Sequence, residues 1–317
     1  MATYRKAVLI YNPSARGLSR QRPGFLQRTI DALDEEGITA SAIATTGPGV
    51  ATELARQALQ EDADLVLAAG GDGTINEVVN GMAGSRVPLG ILPGGTANVL
   101  AVELGLGTRI DRVARMLRHC LPERIALGRL YAQGLSPRYF LLMAGAGLDA
   151  QVVKRVRPGL KSAVGKGAYW VAGFSQLGQK LPEFEVAMNG RRFRAGFALA
   201  SRVRNYGGDL ELARNASLMA PEFEVVLFEG TNPFRYLKYL GGAALGSVEG
   251  IAGVTVLRTQ EVEFLATDSP VYVQVDGELM GHLPARAEIV PNALTLLAPP
   301  DFLERIPVKI GHALAPA

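Results

Sequence analysis

The stretch Asp64-Leu65-Val66-Leu67-Ala68-Ala69 runs directly into Gly70-Gly71-Asp72-Gly73-Thr74, and that turn into Ile75-Asn76-Glu77-Val78-Val79-Asn80. A buried strand, a glycine turn and a helix in immediate succession commit the chain to an α/β architecture. Three glycines in four positions let the backbone turn sharply and approach a ligand, because no Cβ stands in the way. Asp72 is held inside the turn. Thr74 is expected to cap the helix, whose first N–H groups form an anion site suited to phosphate. The same residues also suit a plain strand-to-helix connection with glycines needed only for geometry. The rest of the chain has to separate the two.

The pattern recurs from residue 6 to about 120. Ala7–Tyr11 reads as a buried strand stopped by Asn12-Pro13, followed by a helix over about Pro23–Glu36 and a strand over Ile38–Ala44. After Thr45-Thr46-Gly47-Pro48-Gly49, residues 50–60 place Val50, Leu54, Ala58 and Leu59 on one helical face. The strand 64–69, the helix 74–82, the strand 88–92, and helices over 96–104 and 111–118 complete the series. Continuous apolar strands alternating with helices indicate a parallel sheet covered on both faces.

Beyond about Glu123 the runs shorten and alternate with period two. Phe184–Met188 precedes Asn189-Gly190, and Val271–Val275 precedes Asp276-Gly277; both dipeptides are strong hairpin signals. A mostly antiparallel, β-sandwich-like domain is therefore expected over 125–298, interrupted by helical inserts near 164–177 and 232–245. Residues 1–124 form the nucleotide-binding domain, and 299–317 is a candidate to rejoin it.

Composition narrows the class. The chain has 317 residues, 48% of them hydrophobic, with a net charge of +3 and a pI near 9.0. This mildly basic balance suits anionic partners such as nucleotide or a lipid surface, but it is too weak to argue for nucleic acid, and no aromatic-basic interleaving of the RNA-binding kind accompanies it. One cysteine, Cys120, excludes an internal disulfide and fits a reducing compartment. His119, His282 and His312 lack metal-ligand spacing, so no zinc site is expected. The apolar run after Lys6 is too short for a signal peptide, which points to the cytoplasm. No run reaches the ~20 residues of a membrane span, so membrane contact would be peripheral. The basic residues Lys154, Arg155, Arg157, Lys161 and Lys166, with Tyr169, Trp170 and Phe174 beyond them, read as a solvated face or as a contact for anionic head groups. Gly159–Lys166 imitates a P-loop, but with the wrong spacing and with Gly167 where Ser or Thr belongs.

Four loops fall at the carboxyl ends of expected parallel strands, where open α/β sheets bind ligands. They are Asn12-Pro13-Ser14, Thr45–Gly49, Gly70–Thr74 and Pro93-Gly94-Gly95-Thr96-Ala97-Asn98. Small hydroxyl and amide side chains beside glycine suit a polyphosphate. In the second domain, Asp276-Gly277-Glu278 is either a hairpin turn or a carboxylate pair with one member acting as general base toward a hydroxyl. Asp149, after Gly145-Ala146-Gly147-Leu148, is a candidate on the substrate side or again a simple turn.

These motifs, in this order and with Tyr206-Gly207-Gly208, resemble the bacterial diacylglycerol kinase-like lipid kinases, relatives of eukaryotic diacylglycerol, sphingosine and ceramide kinases. Gly-Gly-Asp-Gly-Thr alone is shared with phosphofructokinases and NAD kinases. The continuation Ile75-Asn76-Glu77-Val78-Val79-Asn80-Gly81 and the later Gly-Thr-Ala-Asn loop are more specific. The resemblance implies ATP along Asn12, Pro13, Ser14, Thr46, Gly70, Gly71, Asp72, Gly73, Thr74, Asn76, Glu77, Gly95, Thr96 and Asn98, with Mg²⁺ bridging its phosphates. It further implies a lipid hydroxyl entering a cleft between the domains and attacking the γ-phosphate. Asp276 or Glu278 is the implied proton acceptor, with Asp72 the alternative.

Three departures stand out. The family's common Asn-Asp is Asn98-Val99 here, and an Asp before the first β-domain strand is Ala126 or missing. Leu-x-Asp-Gly, which carries a structural Mg²⁺ in several members, reads Leu218-Met219-Ala220-Pro221. That ion is expected to be absent unless Glu222 compensates. An NAD kinase-like small-molecule kinase and a catalytically weak lipid- or nucleotide-binding regulator remain as rival readings, and a homodimer is left open.

Overall fold

The computed structural model describes residues 4–19, 24–148, 150, 182–206, 210–231, 238–239, 241–242, 248–265, 267 and 270–306. The chain divides into two compact units, Met1–Ala126 with Pro291–Ala317, and Leu127–Val290. Asp149, the basic cluster 154–166 with its aromatic neighbours, the P-loop imitation, Gly207-Gly208 and the insert at 164–177 lie outside the described residues, as does most of 232–245.

The first unit opens with β1 (Tyr4–Tyr11), the short α1 (Arg16–Ser19), α2 (Phe25–Glu35), β2 (Ile38–Ala44), α3 (Val50–Gln60) and β3 (Leu65–Gly70). It continues with α4 (Asp72–Met82), β4 (Pro88–Pro93), α5 (Val99–Glu103), α6 (Ile110–Met116) and a 3-10 turn at Leu117–His119. Strand order is β2-β1-β3-β4, all parallel, and the last part of β18 (Ala285–Ala298) adds parallel to β4 through Thr295 and Leu296. All six residues of β3 are buried, as a strand covered on both faces requires. Each of its Leu and Val side chains gains about 1.5–3 kcal/mol from leaving water. The α2 helix turns Thr29, Ala32 and Leu33 inward, a spacing of three and four that puts them on one face.

Two boundaries differ from the sequence expectation. The α4 helix starts at Asp72 with Gly71 as N-cap, so Thr74 lies in the first turn and does not cap it. The α5 helix begins only at Val99, because Asn98 adopts a left-handed conformation (φ 49°) that no α-helix continues through.

The second unit begins within β5 (Leu121–Ala132) and continues through β6 (Arg138–Phe140), β7 (Met143–Gly147), β8 (Phe184–Met188), β9 (Arg191–Ala195) and β10 (Phe197–Ser201). After the small β11 (Asn205–Tyr206) and β12 (Leu210–Glu211) come β13 (Phe223–Phe228), β14 (Val254–Thr259), β15 (Glu261–Phe264), β16 (Tyr272–Val275) and β17 (Glu278–His282). One sheet runs β14-β13-β10-β7-β16-β17, antiparallel throughout. Within the unit the other layer pairs β9 to β8, β8 to β15, β15 to the first part of β18, and β5 to β6. Alternate residues of both layers enter a single core in which Phe140 stacks on Phe223 at 5.6 Å. Asn189-Gly190 and Asp276-Gly277 both close two-residue hairpins with positive φ at each central position, the mirror-image turn that matches strand twist.

Among the described residues, no helix is long and apolar enough to cross a membrane. The units divide at 126/127 and 290/291, where the sequence suggests 124/125 and 298/299. The second offset arises because β18 is one continuous strand and its last part already pairs with β4.

Candidate active site

Register puts the four loops of the first unit on one edge. Tyr11 pairs with Ala44 of β2 and Ala69 of β3, and Gly70 pairs with Pro93 of β4, so the four strands end level. In the order β2-β1-β3-β4, successive connections leave β1 and β3 in opposite directions, and the crevice between those two strand ends is where such sheets take ligands. Asn12 spans it. Its N–H donates to the Ala69 carbonyl at 3.0 Å, its Nδ2 to Thr74 Oγ1 at 3.3 Å, and its Oδ1 accepts the Ser14 N–H at 2.9 Å.

The two glycine loops touch backbone to backbone. The Gly94 N–H donates to the Gly70 carbonyl at 2.8 Å, and a Cβ on Gly95 would lie 2.5 Å from Gly71 Cα. Any other residue at 95 would push the loops apart. Asn98 holds the arrangement with both arms, accepting the Gly95 N–H at 2.8 Å and donating to the Gly95 carbonyl at 3.1 Å. The first hydrogen bond within α4 runs from the Ile75 N–H to the Gly71 carbonyl at 3.1 Å. The N–H groups of residues 72–74 therefore have no intrahelical acceptor and carry the positive end of the helix dipole. Asp72 leads this turn, and its Oδ1 accepts the Leu100 N–H at 3.4 Å. Ser14, Thr46 and Thr96 are exposed beside these loops.

Two residues of the expected ATP set have structural partners. Glu77 caps α3: its Oε1 accepts the Gly49 N–H at 2.8 Å, its Oε2 accepts the Ala51 N–H at 3.1 Å, and its carbonyl accepts the Thr52 hydroxyl at 2.9 Å. It thus fixes the loop that carries Thr46. Asn76 is 1% exposed, and its oxygens accept the Asn80 amide at 2.9 and 3.2 Å. Glu77 thereby ties α4 to the start of α3, and Asn76 bonds within α4.

In the second unit the carboxylates separate in role. Asp276 is buried, with Oδ2 accepting the Leu141 N–H at 2.9 Å and Oδ1 accepting those of Leu142 and Met143 at 3.0 and 2.9 Å. These three bonds anchor the start of β7. Glu278, the first residue of β17, keeps a side chain 39% exposed and accepts Arg138 Nη2 at 2.7 Å. Arg138 was not foreseen from sequence, since it stands 140 residues from its partner. Arg202, likewise unforeseen, is fully buried.

Residues 6–130 match the diacylglycerol kinase catalytic domain, and residues 143–298 match the YegS C-terminal NAD kinase beta sandwich-like domain. The chain belongs to the diacylglycerol kinase-like family. A diacylglycerol kinase of Bacillus subtilis (strain 168) is 28% identical over 309 residues, covering 95% of this chain and 99% of that protein. One from Staphylococcus aureus (strain MRSA252) is 28% identical over 315 residues, 97% of each. A crystal structure of a diacylglycerol kinase from Bacillus anthracis str. Sterne aligns with a TM-score of 0.76 at 20% identity, covering 95% of this chain and 99% of that one. An NAD kinase from Archaeoglobus fulgidus, in complex with ATP, aligns at 0.50 and 13% identity over 96% of this chain and 98% of that one. At these identities the structural likenesses speak to fold alone.

Against the structural Mg²⁺ implied by the family resemblance, this chain's residues do not fit. Ala220 offers no side-chain oxygen, and Glu222 is paired with Arg258 Nη1 at 3.1 Å. Among the described residues, no group of three or more His, Cys, Asp or Glu is placed to hold a metal ion. The main-chain oxygens of Leu218 and Ala220 both accept from Arg202. Where many of the family carry Asp after the fourth-loop Asn, Val99 is buried in the first turn of α5.

Proposed function

We propose that this chain is an ATP-dependent lipid kinase, transferring the γ-phosphoryl group of ATP to a hydroxyl of a lipid such as diacylglycerol or a sphingoid base. The observation that carries the reading is the pair of backbone-packed glycine loops around the uncapped start of α4, set at the crevice between β1 and β3 of a family catalytic domain. Backbone N–H groups at 72–74 accommodate phosphate oxygens, and Asn12, Ser14, Thr46 and Thr96 supply short polar contacts. Asp72 is the hard oxygen donor at this point. A carboxylate facing phosphates repels them unless a cation stands between, and Mg²⁺ suits that donor and that task. Bound there, Mg²⁺ would neutralise charge on the β- and γ-phosphate oxygens.

Glu278 is the proton acceptor in this reading, because Asp276 is buried and already accepts three amide hydrogens while Glu278 is part-exposed. The lipid hydroxyl oxygen bonds to γ-phosphorus as the bond to the β–γ bridging oxygen breaks, and the hydroxyl proton passes to Glu278. Arg138 holds the Glu278 carboxylate in one orientation. A lipid acceptor places the protein at a membrane surface in peripheral contact.

The test is a panel assay with γ-labelled ATP, with and without Mg²⁺. Label in chloroform-extractable lipid, dependent on Mg²⁺, is the expected outcome. Label in NAD instead would move the assignment to the NAD kinase-like alternative, and no transfer to any acceptor would leave a binding protein.

A further inference from the structure

The second unit buries one guanidinium completely. Arg202 follows β10 with no solvent exposure. Its Nη2 donates to the Leu218 carbonyl at 2.6 Å and its Nη1 to the Ala220 carbonyl at 3.3 Å. Those two oxygens belong to a tight turn closed by the Ala220 N–H on the Ser217 carbonyl at 3.1 Å. The Arg202 backbone N–H donates to the Leu142 carbonyl at 2.8 Å, and the Leu142 N–H donates to the Asp276 carboxylate at 3.0 Å. The Arg202 main chain and the Asp276 carboxylate thus both hold Leu142, one at its carbonyl and the other at its N–H.

Removing a guanidinium from water is strongly unfavourable, and apolar residues of similar volume commonly serve as well or better. The Arg202 Nε has no hydrogen-bond partner among the described residues, so even the polar satisfaction is incomplete. Burial pulls the group down to about 10, while the Asp276 charge acts to keep it protonated. What the position gains is a positive charge held on two main-chain carbonyl oxygens and within electrostatic reach of the buried Asp276. Carbonyl and carboxylate oxygens are the donors a hard cation takes. The turn concerned is the one at which the family resemblance implies a metal and at which this chain lacks the acidic ligand.

We propose that Arg202 is an internal structural cation, its guanidinium fastening the Ser217–Ala220 turn through main-chain oxygens, so that the second unit keeps its shape without a divalent ion. Glu224 is the competing place for a metal, since it is 3% exposed and, among the described residues, neither carboxylate oxygen meets a donor in good hydrogen-bond geometry. Burial raises that carboxyl toward its neutral form, and its neighbour Glu222 is already bound to Arg258.

Thermal unfolding of the full-length, nucleotide-free protein in EDTA and in excess Mg²⁺ tests this, in the wild type and in Asp72→Asn, which removes the carboxylate assigned to nucleotide-associated Mg²⁺. The same melting temperature in both solutions is expected. A lower value in EDTA that persists in Asp72→Asn, with metal found by elemental analysis, would overturn the proposal. Arg202→Met is expected to melt roughly 10 °C lower, as loss of two buried charge-assisted hydrogen bonds does. An unchanged melting temperature would sink the idea. Should that variant not fold, Arg202→Lys replaces it: a point charge lacking the planar fork melts below the wild type if the proposal holds, and level with it if not. Arg202→Met combined with Ala220→Asp is expected to gain a melting temperature that rises with Mg²⁺. Indifference to Mg²⁺ in that double variant would show that the guanidinium does not stand where an ion can.

Discussion

At Asp276 both carboxylate oxygens already accept amide hydrogens, three in all, from a segment 133 to 135 residues earlier in the chain. Two positions on, Glu278 is part-exposed and paired with Arg138. The two should separate cleanly on mutation. Asp276→Ala leaves three buried N–H groups without acceptors and is expected to cost about 3 kcal/mol or more of stability, read by denaturant melts. Glu278→Gln is expected to leave the melt unchanged while kcat falls about 10²- to 10⁴-fold, the usual reach of a general base. A Glu278→Gln enzyme with wild-type turnover would remove it from the proton path. From sequence the pair was legible as a hairpin turn bearing carboxylates, and no further, because what distinguishes the members is their partners. Amide donors from distant backbone leave no trace in residue identity, and neither does an Arg138 that pairs across 140 positions.

Among the elements, α3 and α4 are coupled through Glu77, which supplies from a neighbouring helix the cap that Gly49 has no side chain to provide. Glu77→Ala frees two N–H groups and is expected to cost about 1–2 kcal/mol. Because the freed turn carries Thr46, the KM for ATP should rise more than kcat falls; an unchanged KM would mean the loop does not serve the nucleotide. Elements whose signal is local were readable in advance: α3 at 50–60 and β2 at 38–44 have the expected bounds, and Asn-Gly and Asp-Gly close the expected hairpins. Where α4 and α5 begin was not, since the start of α4 follows the docking of two glycine loops and that of α5 a left-handed Asn98, both decided by tertiary contact.

For the whole molecule, the alternation of strands and helices and the later change to period two gave the fold class, because burial on two faces or on one is written directly into hydropathy. Stability at alkaline pH has an identifiable contributor. Burial pushes the Cys120 thiol up to about 11 from its ordinary 9.0. In the unfolded chain the thiol ionises first, so this contribution is intact below pH 9 and is lost as pH rises toward 11. Burial also raises the Tyr4 hydroxyl, with Asp64 adding to it, in the same direction. The folded protein is expected to resist thiol-specific labelling at neutral pH and to take up one label per chain on unfolding in urea. Rapid labelling of the native state would show the thiol to be accessible.

The path of β18 bears on how the chain is made. Its last part supplies the fifth parallel strand of the unit that begins at the N-terminus, while Leu127–Val290 lies wholly between the two contributions to that unit. On a ribosome, the first 126 residues emerge with one edge of β4 unpaired and wait for roughly the length of a second domain before residues 291–298 arrive. The inserted unit has all its strands available by then and is able to close first, the reverse of the usual N-to-C order. Release of a chain stopped at Val290 should therefore give a protease-resistant second unit attached to an N-terminal part that is readily digested.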